Sequence, residues 1–467
     1  MDAKTIEKRG SFRNKRGFIL ACIGSAVGMG NIWRFPIMVS KYGGLTFLIP
    51  YVLFVVLIGS TGVIEEFSLG RFACSGPVGA FGKCTEERWG NKRAGQIIGA
   101  LPIIGALMLA IGYTVVMGWI FKYTWMGISG SLYSMGQDMN VIGGTFGATA
   151  PEASSLSGAV SMMTEGGLFS VGNGAWQLLA LAAALAIMAL GIEKGIEKAN
   201  RFMMPALFLL FVILAVYIST LSGASDGYRY IFTLDPKGLL NGEVWVYAFG
   251  QAFFSLSVAG NGSVIYGSYL PGDEDIPFSA KNVAFFDTLA ALLAMLVILP
   301  AMGAGNVSPD KPGPGLMFVY LPNVFNGMAG GRIVGMVFFI CVLFAGISSI
   351  INLYEAPVAF LQDALHLKRL PAVLIIGVIG AAVSLLIQPW TSQWMDLVSI
   401  YICPMGALLA GIMFFWVLKK DTALAAVNRG ISGGRKIGKY FHPMGRYVYC
   451  LLALIALVAG AVYGGIG

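Results

Sequence analysis

The 467-residue chain is 57% hydrophobic and only 12% charged, with a mean hydropathy of +0.76. That composition excludes a water-soluble globular enzyme or binding domain and describes a polytopic membrane protein. The net charge of +8 would suit nucleic acid, but the basic residues gather on alternate loops, which is a signature of membrane topology.

Apolar runs of about 20 residues, the length that crosses a bilayer, occur eleven times, at 17–41, 44–69, 96–121, 174–190, 202–221, 244–270, 278–303, 334–362, 371–388, 394–418 and 445–465. Lys4, Lys8, Arg9, Arg13, Lys15 and Arg16 precede the first. Arg34 and Pro36 interrupt that run and no small-residue cleavage site closes it, so it reads as a retained helix and not a signal peptide. An N-terminus inside the cell places most of the 31 Lys and Arg residues on the cytoplasmic side. The odd number of spans then puts the C-terminus outside a cell inner (plasma) membrane.

The chain divides into a cytoplasmic tail (1–16), a first group of five spans (17–221), an outer loop (222–243), a second group of five (244–418), a basic cytoplasmic loop (419–444) and a last span (445–467). A glycine- and serine-rich outer loop fills 128–172. None of these segments is large enough for a separate soluble domain. Six cysteines, none in an expected outer loop, imply no disulfide framework or zinc site. His366 and His442 fall on expected cytoplasmic loops with no catalytic or metal-binding company, no membrane-enzyme constellation is present, and no repeated filter motif suggests a channel.

The first and sixth spans are interrupted by small residues near their centres, at Gly24-Ser25-Ala26-Val27-Gly28-Met29-Gly30-Asn31 and Ser255-Leu256-Ser257-Val258-Ala259-Gly260-Asn261-Gly262. Unwound backbone at membrane depth is tolerated only where it lines a cavity. Such a break presents N–H groups that suit a carboxylate and C=O groups that suit a cation. Met29 and Gly30 amides are therefore candidate carboxylate donors. Matching breaks in the first member of each five-span group point to an inverted-repeat secondary transporter.

The run Ser25-Ala26-Val27-Gly28-Met29-Gly30-Asn31-Ile32-Trp33-Arg34-Phe35-Pro36, followed by Gly43-Gly44 and Ile49-Pro50-Tyr51, resembles the first two helices of the neurotransmitter:sodium symporters. Further matches are Gly250-Gln251-Ala252-Phe253-Phe254-Ser255-Leu256-Ser257, Phe344-Ala345-Gly346-Ile347-Ser348-Ser349 and Asn428-Arg429-Gly430. The resemblance covers nearly all of the chain. It implies an all-α, leucine-transporter-type 5+5 inverted repeat with broken helices 1 and 6 plus an eleventh helix, as in bacterial amino-acid transporters of the family.

By that resemblance, one sodium site uses the Gly24, Val27 and Ala345 carbonyls with the Ser348 and Ser349 hydroxyls. A second uses the Ala26 carbonyl, Asn31, Ser255 and Asp287, closed by the substrate carboxylate. Many relatives have asparagine where this chain has Asp287; direct sodium ligation and a protonated or solvated Asp287 both fit. The chloride ligands of chloride-dependent members map to Tyr51, Gln251 and Ser255, but the fourth falls on Ala291. Two sodium ions without chloride are the expectation, with Asp287 supplying the negative charge.

Gly28 replaces the aspartate that monoamine transporters carry, so an amino acid is expected in preference to an amine. Tyr113 would hold its carboxylate, helped by Met29 and Gly30. Ser257 and the carbonyls of the second break would take the ammonium, with Ser25, Ala26, Leu109, Phe254, Ser255, Gly260, Asn261, Ser349 and Leu353 around the rest. A large apolar or aromatic side chain is the first expectation; a small polar amino acid is the alternative. The implied outer gate is Arg34 with Asp396 and a Phe254 lid; the inner one is Arg9 with Asp363, near Phe12 and Tyr269. Glu66 reads as structural support for the second break. The implied function is sodium-coupled amino-acid symport by alternating access in a lipid bilayer, with no nucleic acid and no obligate protein partner; a non-transporting amino-acid sensor of the same fold is a further alternative.

Overall fold

The computed structural model describes residues 12, 15–153, 172–258, 261–305, 307, 315–431 and 436–463. Every apolar run of the sequence corresponds to helix. Span 1 runs as Lys15–Ala26, then a π-helical turn Gly30–Arg34 and Phe35–Tyr42; span 2 as Gly44–Ser60 and Gly62–Ala73; span 3 as Lys92–Ser129. Span 4 is Gly174–Ala189, span 5 Ile192–Ser219, span 6 Gly242–Ser255 with Gly262–Ser268, and span 7 Ile276–Ala304. Spans 8 to 11 are Gly331–Ala364, Arg369–Leu386, Gln388–Val417 and Phe441–Tyr463.

Among the described residues, eight helices are long and apolar enough to cross a membrane, and the bent pair of span 1 makes nine. Span 4, with 16 residues, is shorter, and span 6 is divided by its break. Several helices outrun their apolar cores. Span 3 has 38 residues because Asn91 caps its start, accepting from the Ala94 N–H, and helix continues beyond Lys122. The segment 128–172, read from sequence as loop, contains the helix Met139–Thr149, capped by Asp138.

The packing repeats itself when each span is replaced by the one five places away. Span 1 packs on span 7 and span 2 on span 6; span 3 on span 9 and span 4 on span 8; span 3 on span 10 and span 5 on span 8; span 2 on span 10 and span 5 on span 7. Spans 1–6, 2–7, 3–8 and 4–9 also touch, each pair being its own counterpart. Because five is odd, the second copy crosses the membrane in the opposite sense. The two broken spans thus face each other at the centre, and span 11 packs outside against spans 6 and 10.

Small residues set how closely spans 2 and 6 approach. A Cβ on Gly70 would lie 2.0 Å from the Val264 carbonyl oxygen, and one on Gly267 2.5 Å from that of Phe67. Only glycine at both positions lets the second halves of spans 2 and 6 meet backbone to backbone.

Candidate substrate and ion site

Both breaks are real in the backbone. Span 1 bends by 52° between Ala26 and Gly30. In span 6 the first helix stops at Ser255, and Ser257 and Asn261 both adopt φ of 56°, a left-handed conformation unusual for residues with a Cβ. Such strain, on the order of 1–3 kcal/mol per residue, persists only where the surroundings impose it, and it concentrates at binding sites. Ser257 Oγ donates to the Ser25 carbonyl at 2.9 Å, tying one break to the other.

A cavity of about 40 Å³ opens between the breaks. Ser25, Ala26, Gly28 and Gly30 of span 1, Leu109 and Tyr113 of span 3, Phe254, Ser255 and Ser257 of span 6, and Ser349 and Leu353 of span 8 all line it. Met29 and Asn261, placed in the site by the sequence, do not; Gly260 lies outside the described residues. Asn261 instead donates to Glu66 Oε1 at 2.9 Å. Glu66 therefore fastens span 2 to the start of the inner helix of span 6.

Beside the cavity, Asn31, Ser255 and Asp287 converge. The Asn31 amide donates to Asp287 Oδ1 at 2.7 Å and to Ser255 Oγ at 3.0 Å, while the Asn31 Oδ1 accepts from the Gly28 N–H at 2.9 Å. Ser255 Oγ donates to Asp287 Oδ2 at 2.8 Å. Asp287 is fully buried, and no cationic side chain among the described residues pairs with it. A buried carboxylate without a cation is costly. This oxygen-rich cluster, hard donors around one negative charge, suits a sodium ion.

A second polar cluster joins spans 1 and 8. Ser348 Oγ lies 2.9 Å from the Ala345 carbonyl and 3.5 Å from that of Val27. A Cβ on Gly28 would fall 2.3 Å from Ser349 Oγ, and one on Gly24 would strike Asn200 Oδ1. Glycine at 28 lets span 1 approach the Ser349 hydroxyl of span 8, and glycine at 24 leaves room for the Asn200 carboxamide of span 5. The set is again all oxygen, without a charged side chain. At the site matching the chloride ligands, the Tyr51 hydroxyl and Gln251 Oε1 are buried without hydrogen-bond partners among the described residues, Gln251 Nε2 donates to the Gly30 carbonyl at 3.0 Å, and Ala291 is buried and apolar.

Above the cavity the Arg34 guanidinium stands 5.1 Å from the Phe254 ring centre, a cation–π contact. Arg34 and Asp396 do not form an ion pair within 4 Å. Below, Phe12 packs edge-on against Tyr266 and Tyr269, and Ser75 Oγ lies 3.1 Å from Asp363 Oδ2. Arg9 lies outside the described residues.

Three polar residues that the sequence did not single out stand in these layers. Asn352 of span 8 lines the cavity, 3% exposed, with Oδ1 unpartnered. Glu355, one turn further, accepts from the Tyr269 hydroxyl at 2.7 Å and from both Arg369 terminal nitrogens at 2.9 and 2.8 Å, while Arg369 Nε reaches the Met188 carbonyl at 2.6 Å. The ends of spans 4, 6, 8 and 9 are joined by that one buried cluster. A lone Glu within an apolar helix is the signal that would have found it.

Comparison with known proteins agrees with this geometry. The model of the sodium:neurotransmitter symporter family matches residues 9–141 and 145–463. An uncharacterized sodium-dependent transporter of Bacillus subtilis, YhdH, is 30% identical over 97% of this chain and 98% of its own length. A sodium-dependent transporter of Methanocaldococcus jannaschii is 31% identical over 90% of this chain and 85% of its own. A sodium-dependent neutral amino acid transporter of Mus musculus is 28% identical over 65% of this chain and 42% of its own. The crystal structure of MhsT in complex with L-phenylalanine superposes with a TM-score of 0.79 at 31% identity, covering 97% of this chain and 99% of that one. By sequence, by fold and by its paired broken spans, the chain belongs to the sodium:neurotransmitter symporter family, a family of sodium-dependent membrane transporters and not of enzymes.

Proposed function

We propose that this protein is a two-sodium, chloride-independent symporter of a large apolar or aromatic L-amino acid. The observation that carries the reading is the buried Asp287 carboxylate, held by Asn31 and Ser255 beside the cavity and lacking a cation among the described residues. One sodium ion sits there, with the Ala26 carbonyl and the substrate carboxylate completing its oxygens. The other sits among Gly24, Val27, Ala345, Ser348 and Ser349. Asp287 balances the ions, so the Tyr51 and Gln251 position needs no anion.

The substrate carboxylate is received by Tyr113, whose hydroxyl has no hydrogen-bond partner among the described residues, and by the Gly30 amide. Its ammonium faces Ser257 and the span 6 carbonyls. Leu109, Phe254 and Leu353 give the side chain an apolar wall. The cavity holds only a few waters as it stands, so it widens as the substrate enters. MhsT, with L-phenylalanine in its complex, supports the choice of a large side chain.

Arg34, Asp396 and Phe254 close the outer path, and Arg9, Phe12, Tyr269 and Asp363 the inner one. The N-terminus is cytoplasmic and the C-terminus outside, and each inward sodium charge gains ~2.3 kcal/mol per 100 mV of membrane potential. One observation favours a second reading: the unpartnered Asn352 carboxamide in the cavity wall suits a substrate with a polar atom on its side chain. Proteoliposome uptake from a mixture of the twenty amino acids tests the proposal. Concentrative uptake under an inward sodium gradient supports it; sodium-dependent binding with no accumulation would identify a sensor.

A further inference from the structure

A second cavity, of about 340 Å³, lies far from the substrate site, where the inner end of span 2 meets the helices Pro77–Trp89 and Lys420–Asn428. Its walls include Arg71, Phe72, Lys83, Thr422, Ala426 and Arg429. Three cations therefore converge on one hollow from three segments of the chain.

Arg71 is 3% exposed, and its guanidinium is held by carbonyls: that of Glu274 at 2.5 Å, Ala426 at 2.9 Å and Arg429 at 2.7 Å. Lys83 Nζ donates to the Phe72 carbonyl at 2.5 Å and stands 4.1 Å from the Phe72 ring centre. None of the three cations has a carboxylate within 4 Å among the described residues. Three acids of the neighbourhood, Asp273, Glu274 and Asp275, lie close enough to attract Arg71 electrostatically without pairing with it. Asp275 caps the Phe278 N–H, Glu274 accepts from Ser279, and Glu87, at the rim, accepts from Thr422.

Basic residues on an inner face report topology, and topology alone requires only that they lie on that face. It does not require a buried guanidinium, positioned by neutral carbonyls, to share a cavity with two further cations. Carbonyl dipoles orient Arg71 without cancelling its charge, so three cations face the hollow with no carboxylate paired to any of them among the described residues. An oxyanion with several acceptor atoms is the chemical complement. We infer that this cavity binds a phosphate group, either the headgroup of an anionic lipid or a soluble phosphate. Its walls join span 2 to the loop helix that follows span 10, so the bound anion fastens these two parts together.

The test uses the full chain, purified in a neutral detergent and stripped of lipid, titrated separately with inorganic phosphate and with a short-chain phosphatidylglycerol while thermal unfolding is followed. A short-chain phosphatidylcholine serves as the zwitterionic control. The variants are Lys83→Gln with Arg429→Gln, Lys83→Gln alone in case the pair impairs folding, and Lys92→Gln with Arg93→Gln as a charge-matched control outside the cavity. Wild type and the control pair should be stabilised, while the cavity variants need about tenfold more probe for the same shift. Stabilisation by phosphatidylglycerol alone assigns a lipid headgroup; stabilisation by inorganic phosphate assigns the soluble anion. A wild type indifferent to both probes, or cavity and control variants that respond alike, would overturn the inference.

Discussion

The Asn31 side-chain amide donates to the Asp287 carboxylate at 2.7 Å, joining the broken first span to span 7 across 256 positions of sequence. The same amide reaches Ser255, so three spans share one buried negative charge. A carboxyl group so placed needs a positive partner or a bound proton, and in the proposed mechanism sodium is that partner. Asp287→Ala is expected to raise the sodium concentration for half-maximal uptake about tenfold or more, an effect of ~1.4 kcal/mol. Sodium titration of uptake at fixed amino-acid concentration checks this, with Asp287→Asn expected to fall between wild type and alanine.

Chloride should be dispensable for the same electrostatic reason. Replacing chloride by gluconate is expected to leave initial uptake rates unchanged within about twofold, a difference of only ~0.4 kcal/mol. A collapse of transport in gluconate would show that the Asp287 charge does not stand in for an anion.

Asn352 should govern which side chains are preferred. It faces the cavity near Gly262, where an added Cβ would lie 2.7 Å from its Nδ2. Asn352→Leu replaces a carboxamide by an isosteric apolar group and removes a hydrogen bond worth ~1 kcal/mol to any substrate that makes it. The preference for tryptophan or tyrosine over phenylalanine, read from competition for uptake, is expected to fall about fivefold.

The Glu355–Arg369 pair should matter most for the integrity of the inner face. Removing one partner of a buried pair costs about 3–5 kcal/mol because the other is left uncompensated. Glu355→Ala and Arg369→Ala are each expected to lower the thermal unfolding midpoint clearly, and the double variant by less than their sum. Strict additivity would show that the two side chains do not act as a unit.

The sequence made the span count and the two breaks legible because bilayer thickness fixes helix length and small residues cluster where backbone must unwind. The span ends are less so: the apolar run of span 5 covers 202–221 but the helix begins at Ile192, since the π-helical opening turn carries Glu193, Lys194 and Glu197 and reads as loop. Left-handed Ser257 is not foreseeable from sequence, because glycine and asparagine, not serine, are the usual signs of that conformation. Asn352 and Glu355 were missed for another reason. Span 8 is buried over much of its circumference, so periodicity does not say which polar residue faces the cavity and which faces a neighbouring helix.

Equilibrium binding of the twenty amino acids to the purified protein, in sodium and in potassium, for wild type and Asp287→Ala, bears most directly on the shared substrate and sodium site. The expected result is that at least one amino acid binds wild type in sodium, binds far more weakly in potassium, and loses that difference in the variant. Binding that is indifferent both to the cation and to Asp287, or no binding of any amino acid, would contradict a site in which the two broken spans hold substrate and sodium together.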